Sequence, residues 1–123
     1  MKKIISLTVA FVSGILESYH CQPQSEFVAS LPDMNDGNNF TFGMYSGYIS
    51  FPGTSKQIHY LLAESQQNGT DDPLVIWFNG GPGCSSMLGF MQEHGPFIMD
   101  SGSPNIRANQ YSWNNQSHML YIE

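Results

Sequence analysis

From residue 44 onward the chain alternates. "MYSGYISF" (44–51) sets aromatic and aliphatic residues against small or polar ones, the period-2 pattern of a half-buried strand. "PGTSK" (52–56) supplies turn chemistry, and "QIHYLLAES" (57–65) reads as the returning strand, so the pair predicts a β-hairpin. "QQNGTDDP" (66–73) is polar and predicts a solvent-facing loop. "LVIWF" (74–78) is continuously apolar, with β-branched and aromatic members. Its length and composition predict a strand buried on both faces of a central sheet. A glycine-rich loop follows. "SSMLGFMQEHGP" (85–96) then reads as a short helix, with Ser85 or Ser86 as cap and Met87, Leu88, Phe90 and Met91 on its apolar face. Gly95 stands where a left-handed C-terminal cap belongs, and Pro96 stops the helix. After a Gly-, Asn- and Ser-rich loop, "HMLYIE" (118–123) begins another apolar strand. Residues 21–41 are polar and turn-rich, a leader rather than an element. Hairpin, buried strand, glycine turn, helix, strand is the opening of an α/β fold with an antiparallel start. A last strand with no element after it gives the expectation of an incomplete domain.

Composition narrows the class. Of 123 residues, 41% are hydrophobic and 11% charged, which predicts a packed core within at most one small domain. The net charge is −6, and Lys2, Lys3, Lys56 and Arg107 are the only basic residues besides histidine, so nucleic acid is excluded as a partner. Lys2 and Lys3 precede an apolar run over 4–16, the pattern of a secretory signal peptide. The run is shorter than the roughly 20 apolar residues of a membrane span. We take residues 1–20 as the signal and 21–123 as the mature portion; cleavage after Gly14 and cleavage nearer His20 both fit. Sequons at Asn39, Asn68 and Asn115 point to the same glycosylating pathway. Cys21 and Cys84 are the two cysteines, and in an oxidising compartment they could pair; otherwise Cys84 needs another partner.

The loop "NGGPGCSS" (79–86) carries the candidate chemistry. A phosphate-binding loop of Walker type would need a lysine after its last glycine, and none is present. A dinucleotide fingerprint would use Gly81 and Gly83, but Ser86 occupies the place of its third glycine, and Pro82 lies between the first two. The context fits a hydrolase better. Gly80 and Gly81 lie at the end of an apolar strand and before a helix, where backbone N–H groups turned outward stabilise developing negative charge.

With Trp77 before it and "E-H-GP" (93–96) after it, this loop resembles that of the serine carboxypeptidases, secretory or lysosomal/vacuolar α/β-hydrolases. "YSGYI" (45–49), "Y-x-W-N" (111–114) and "HMLYIE" follow the family's order, so the resemblance covers about 31–123. It implies that Gly81 supplies an oxyanion-hole N–H. It implies that Asn79, the Gly80 backbone and Glu93 bind a substrate's terminal carboxylate, that Trp77 supports them, and that Cys84 is disulfide-bonded to a later segment. The expected partners are peptides with a free C-terminal carboxylate; no cofactor and no metal are implied, and a homodimer is left open. An amide and a backbone N–H can hold a carboxylate without a full charge. Glu93 beside that carboxylate attracts it only if one of the two is protonated, which predicts binding favoured by acid.

No Gly-x-Ser-x-Gly occurs, so the nucleophile and the acid and histidine expected after it are not among these residues. Ser85 and Ser86 read as helix-cap residues, and His59, His94 and His118 show no catalytic spacing. The expectation is the N-terminal part of a serine-type carboxypeptidase, inactive by itself. An acyltransferase with the same loop and a non-catalytic secreted fragment are the alternatives.

Overall fold

The computed structural model describes residues 24–32, 34, 40–67, 69–102 and 105–123. The proposed signal peptide, Cys21, Asn39 and Asn68 lie outside the described residues. The predicted hairpin is present: β1 (Met44–Ser50) runs antiparallel to β2 (Gln57–Ala63), in a register that pairs Met44 with Ala63 and Ser50 with Gln57. Gly53 takes φ +77° in the turn between them. β3 (Leu74–Trp77) follows, and then, after a two-stranded ribbon of β4 (Phe97–Met99) and β5 (Ile106–Ala108), β6 (His118–Ile122).

The main sheet has the order β1-β2-β6-β3. β6 enters between the hairpin and β3, antiparallel to β2 and parallel to β3. The registers put Val75, Trp77, Met119, Tyr121, Leu61, Ala63 and Met44 on one face, as alternation along each strand requires. That face is the core. Met44, Ala63 and Met119 are 0% exposed, and Phe90, Phe97, Phe42 and Ile106 close over it. The Phe90 ring stands edge-on to Phe97 and to Tyr121, at centroid distances of 6.0 and 5.2 Å. Edge-to-face contact is the preferred aromatic geometry and fills the space between sheet and ribbon.

Three expectations are corrected. The strand β3 is not buried on both faces: Leu74 and Ile76 are 53% and 51% exposed and Phe78 65%. β3 pairs with β6 alone among the described residues, and none of these covers its outer face. The leader is not free of structure. A 3-10 turn at Gln24–Glu26 leads Phe27 into a bridge with Tyr45, the Val28 N–H donates to the Met44 carbonyl at 2.8 Å, and the Tyr60 hydroxyl donates to the Glu26 carboxylate. Third, the helix after the glycine loop is one α-turn followed by a π-helical segment, Gly89–Glu93. Gly95 does not end it in the left-handed region. Its lack of a side chain matters for space, because a Cβ there would lie 1.9 Å from the Phe90 carbonyl oxygen.

Candidate functional site

The loop between β3 and the π-helical segment is built from its backbone. Gly81 has φ +140° and Gly83 φ +86°, values that L side chains rarely adopt, and the Gly81-Pro82 peptide is cis. The Gly80 and Gly81 N–H groups have no acceptor among the described residues, and both residues are exposed. Ser86 anchors the loop. Its buried hydroxyl accepts from the Asn79 N–H at 3.1 Å and donates to the Ile122 carbonyl on β6. Ser85 alone acts as the local cap, accepting from the Met87 N–H at 3.1 Å. The two serines were interchangeable in sequence; in the fold, one starts the turn and the other ties the loop to the sheet.

The Asn79 side chain has a defined direction. Its Oδ1 accepts the Trp77 indole N–H at 2.8 Å. An indole nitrogen can only donate, so the amide oxygen faces Trp77 and the Nδ2 group faces away from it. That Nδ2 group has no acceptor among the described residues. Asn79 Nδ2 and the N–H groups of Gly80 and Gly81 therefore form a short run of donors on one loop, suited to an anion.

Glu93 ends the π-helical segment, exposed, with no hydrogen bond or ion pair to its carboxylate among the described residues. No hydrogen bond joins it to Asn79 among the described residues. The link between them passes through aromatic rings: Trp77 stands edge-on to His94 at 4.2 Å, and His94 follows Glu93 in the chain. His94 is buried. It stacks on Trp113 at 4.5 Å and lies near-parallel to Tyr121 at 5.8 Å, with Nδ1 3.3 Å from the Tyr121 hydroxyl. Burial pushes the His94 pKa down, and the Glu93 carboxylate nearby works in the opposite direction. Burial also pushes the Tyr121 hydroxyl up, so it stays protonated as a hydrogen-bond partner.

A polar cluster holds this aromatic group in place. Asn109 donates to the Gly95 carbonyl at 2.9 Å, the Trp113 N–H donates to the His94 carbonyl at 3.0 Å, and the Ser112 hydroxyl, which donates to Asn114 Oδ1 at 2.6 Å, lies 3.2 Å from that same carbonyl. Sequence reasoning missed Asn109, Ser112 and Asn114 as supports, although Asn114 lies in the quoted "Y-x-W-N". Cys84 is exposed, and no second cysteine lies among the described residues to pair with it. Asn115 is half-buried on a 3-10 turn, and its Nδ2 donates to the Gln110 carbonyl at 2.9 Å. A shallow cavity of about 270 Å³, floored by Phe40, Phe42 and Phe97, is lined by no residue of the glycine loop. Gly80 and Gly81 of the donor run are exposed.

The serine carboxypeptidase model of protein families matches residues 32–123, most of the described fold and all of this site. The chain belongs to the serine carboxypeptidase family. It is 41% identical over 123 residues to serine carboxypeptidase ctsa-4.1 of Caenorhabditis elegans, covering 98% of this chain and 25% of that one. It is 40% identical over 101 residues to the lysosomal protective protein of Mus musculus, covering 82% of this chain and 21% of that one. Among solved structures it is similar to Kex1(delta)p, a prohormone-processing carboxypeptidase from Saccharomyces cerevisiae. That match has 31% identity and a TM-score of 0.60, and covers 83% of this chain and 24% of that one. The chain thus spans about a quarter or less of the length of these serine carboxypeptidases.

Proposed function

We propose that this chain carries the carboxylate-recognition edge and one oxyanion-hole donor of a serine-type carboxypeptidase of α/β-hydrolase fold, whose substrates are peptides with a free C-terminus. The observation that carries this reading is the Trp77–Asn79 hydrogen bond, which turns the Asn79 Nδ2 group away from the indole, on the same loop as the unpaired N–H groups of Gly80 and Gly81. In this reading Asn79 and Gly80 hold the substrate's permanent carboxylate, with Glu93 sharing it when one proton is present between the two. Gly81 faces the transient oxyanion. The second oxyanion donor and the nucleophile belong to residues this sequence does not contain, so this chain alone binds and does not turn over. The apolar run at 4–16, the sequons and the mouse relative's printed name support a place in the secretory pathway, in a lysosome or vacuole or outside the cell.

The test is a nuclear magnetic resonance titration of the isotope-labelled chain with an N-acetylated dipeptide and with its C-terminal amide. The free acid should shift the Asn79 side-chain, Gly80 and Gly81 resonances and bind about tenfold more tightly than the amide, a difference of about 1.4 kcal/mol. Equal affinity for the two ligands would defeat the reading. Release of an amino acid from the blocked dipeptide by the purified chain would defeat the statement that it does not turn over.

A further inference from the structure

Two residues with no assigned role converge on the Trp77 indole. A Cβ built on Gly89 would lie 2.5 Å from Trp77 Nε1, 3.0 Å from Trp77 Cδ1 and 3.2 Å from His94 Nε2. The pyrrole edge of Trp77 and the Nε2 edge of His94 therefore meet above the Gly89 Cα, in space that any side chain would take. Gly89 has no positive φ, so close approach is what this position demands of it. His94 Nε2 is buried and has no hydrogen-bond partner, in a residue only 7% exposed. Buried polar atoms without partners are uncommon and call for a reason.

The reason lies in what each atom presents to the indole. If the His94 Nδ1–H donates to the Tyr121 hydroxyl oxygen, Nε2 is a bare lone pair. It then offers no hydrogen to crowd the Trp77 N–H edge, where a phenylalanine ring would offer a C–H. The imidazole is stacked on Trp113 and lies near-parallel to Tyr121, and the His94 backbone is fixed as well, its N–H donating to the Gly89 carbonyl at 3.1 Å and its carbonyl accepting from the Trp113 N–H at 3.0 Å. Trp113 also stands edge-on to Trp77 at 6.0 Å. The indole is bounded by Gly89, His94 and Trp113, and in this position its N–H meets Asn79 Oδ1 at 2.8 Å.

We propose that Gly89 and His94 are positioning residues that seat the Trp77 indole and thereby aim the Asn79 amide at the ligand carboxylate. The binding half of this proposal rests on the reading of Asn79 given above. The seat itself does not.

The test uses the full chain and the variants Gly89→Ala, His94→Phe and Trp77→Phe. Two readouts are taken: solvent-exchange protection of the Trp77 indole N–H, and affinity for the N-acetylated dipeptide and its amide. Gly89→Ala and His94→Phe should each lower indole protection about tenfold and weaken the free acid about tenfold, while leaving the amide unchanged. In the Trp77→Phe background, Gly89→Ala should have no further effect on affinity, because the group it displaces has lost its N–H. Core methyl resonances of Met44 and Met119 report whether each variant is folded. If Gly89→Ala does not fold, His94→Phe decides the matter. Unchanged indole protection in a folded variant overturns the seat, and additive effects with Trp77→Phe overturn its action through the indole. If the unaltered chain binds acid and amide equally, the carboxylate reading and the aiming role fail together, while indole exchange still judges the seat.

Discussion

Removing the Asn114 side chain should cost this fold about 2.5–4 kcal/mol, and the sum can be worked from its partners. Asn114 is 0% exposed. Its Nδ2 donates to the Glu64 carbonyl at 2.9 Å; its Oδ1 accepts from Gln66 Nε2 at 2.8 Å and from the Ser112 hydroxyl at 2.6 Å. In Asn114→Ala the three losses are unequal. Gln66 is exposed and turns to water at little cost. Ser112 is buried but already lies 3.2 Å from the His94 carbonyl, so its hydroxyl keeps an acceptor and the loss is about 0.5–1 kcal/mol. The Glu64 carbonyl loses this donor and gets no replacement from the alanine, at about 1–2 kcal/mol. The space left by the amide adds about 1 kcal/mol. A chain of this size has only about 5–10 kcal/mol to lose. Urea unfolding followed by circular dichroism reads the effect: with a slope of about 2 kcal/mol/M, the midpoint should fall by about 1–2 M. Asn115→Ala, which removes one exposed bond to Gln110, is the matched control and should cost less than about 1 kcal/mol. If Asn114→Ala costs no more than this control, the amide is not the tie between β2 and the turn that carries Trp113.

Three further outcomes are expected. Burial lowers the His94 pKa, so the unfolded chain takes up this proton first as pH falls, and stability declines below the ordinary histidine value of about 6.5. The slope from this group reaches at most about 1.4 kcal/mol per pH unit. It should be missing in His94→Phe when urea midpoints are compared from pH 7 downward; parallel curves would argue against a buried neutral imidazole. Tyr60, pushed up to about 12 by burial and by the Glu26 carboxylate, remains a donor to Glu26 at all physiological pH. Tyr60→Phe should therefore destabilise by about 1–2 kcal/mol and raise protease cleavage between 24 and 32; unchanged cleavage would mean the leader is not held by this bond. Finally, the Asn115 sequon has Ser117 buried at 7% exposure, with its hydroxyl on the Trp113 carbonyl at 2.9 Å. Folding hides it, so when the chain is expressed through a glycosylating secretory host, glycan mapping should find low occupancy at Asn115. Full occupancy would place the modification before the turn forms.

The main strands could be read from sequence because each has a local cause. Alternation in 44–51 and 57–65, with a proline–glycine turn between, leaves one arrangement, and β1 and β2 adopt it. β4 and β5 could not be read in this way. They have three residues each, too few to show a period, and they pair across a loop whose composition says only turn. The place of β6 between β2 and β3 was equally hidden, since strand order is a property of tertiary packing. For the site, the glycine loop was legible because its residue types restrict its backbone. The direction of the Asn79 amide was not, because it depends on an indole two residues earlier adopting one rotamer. His94 was passed over as one histidine among several, and only burial distinguishes it.

The strand order also sets a schedule. Leu74 on β3 pairs with His118 on β6, and Ala63 on β2 pairs with Met119. Among the described residues β2 and β3 are joined only through β6, so until β6 has been made "LVIWF" leaves the ribosome with both strand edges open. At about 5–20 residues per second that wait lasts a few seconds. An uncharged apolar strand with open edges is a template for wrong pairing during that time. Translation, as much as thermodynamics, bears on how much of this chain reaches its sheet.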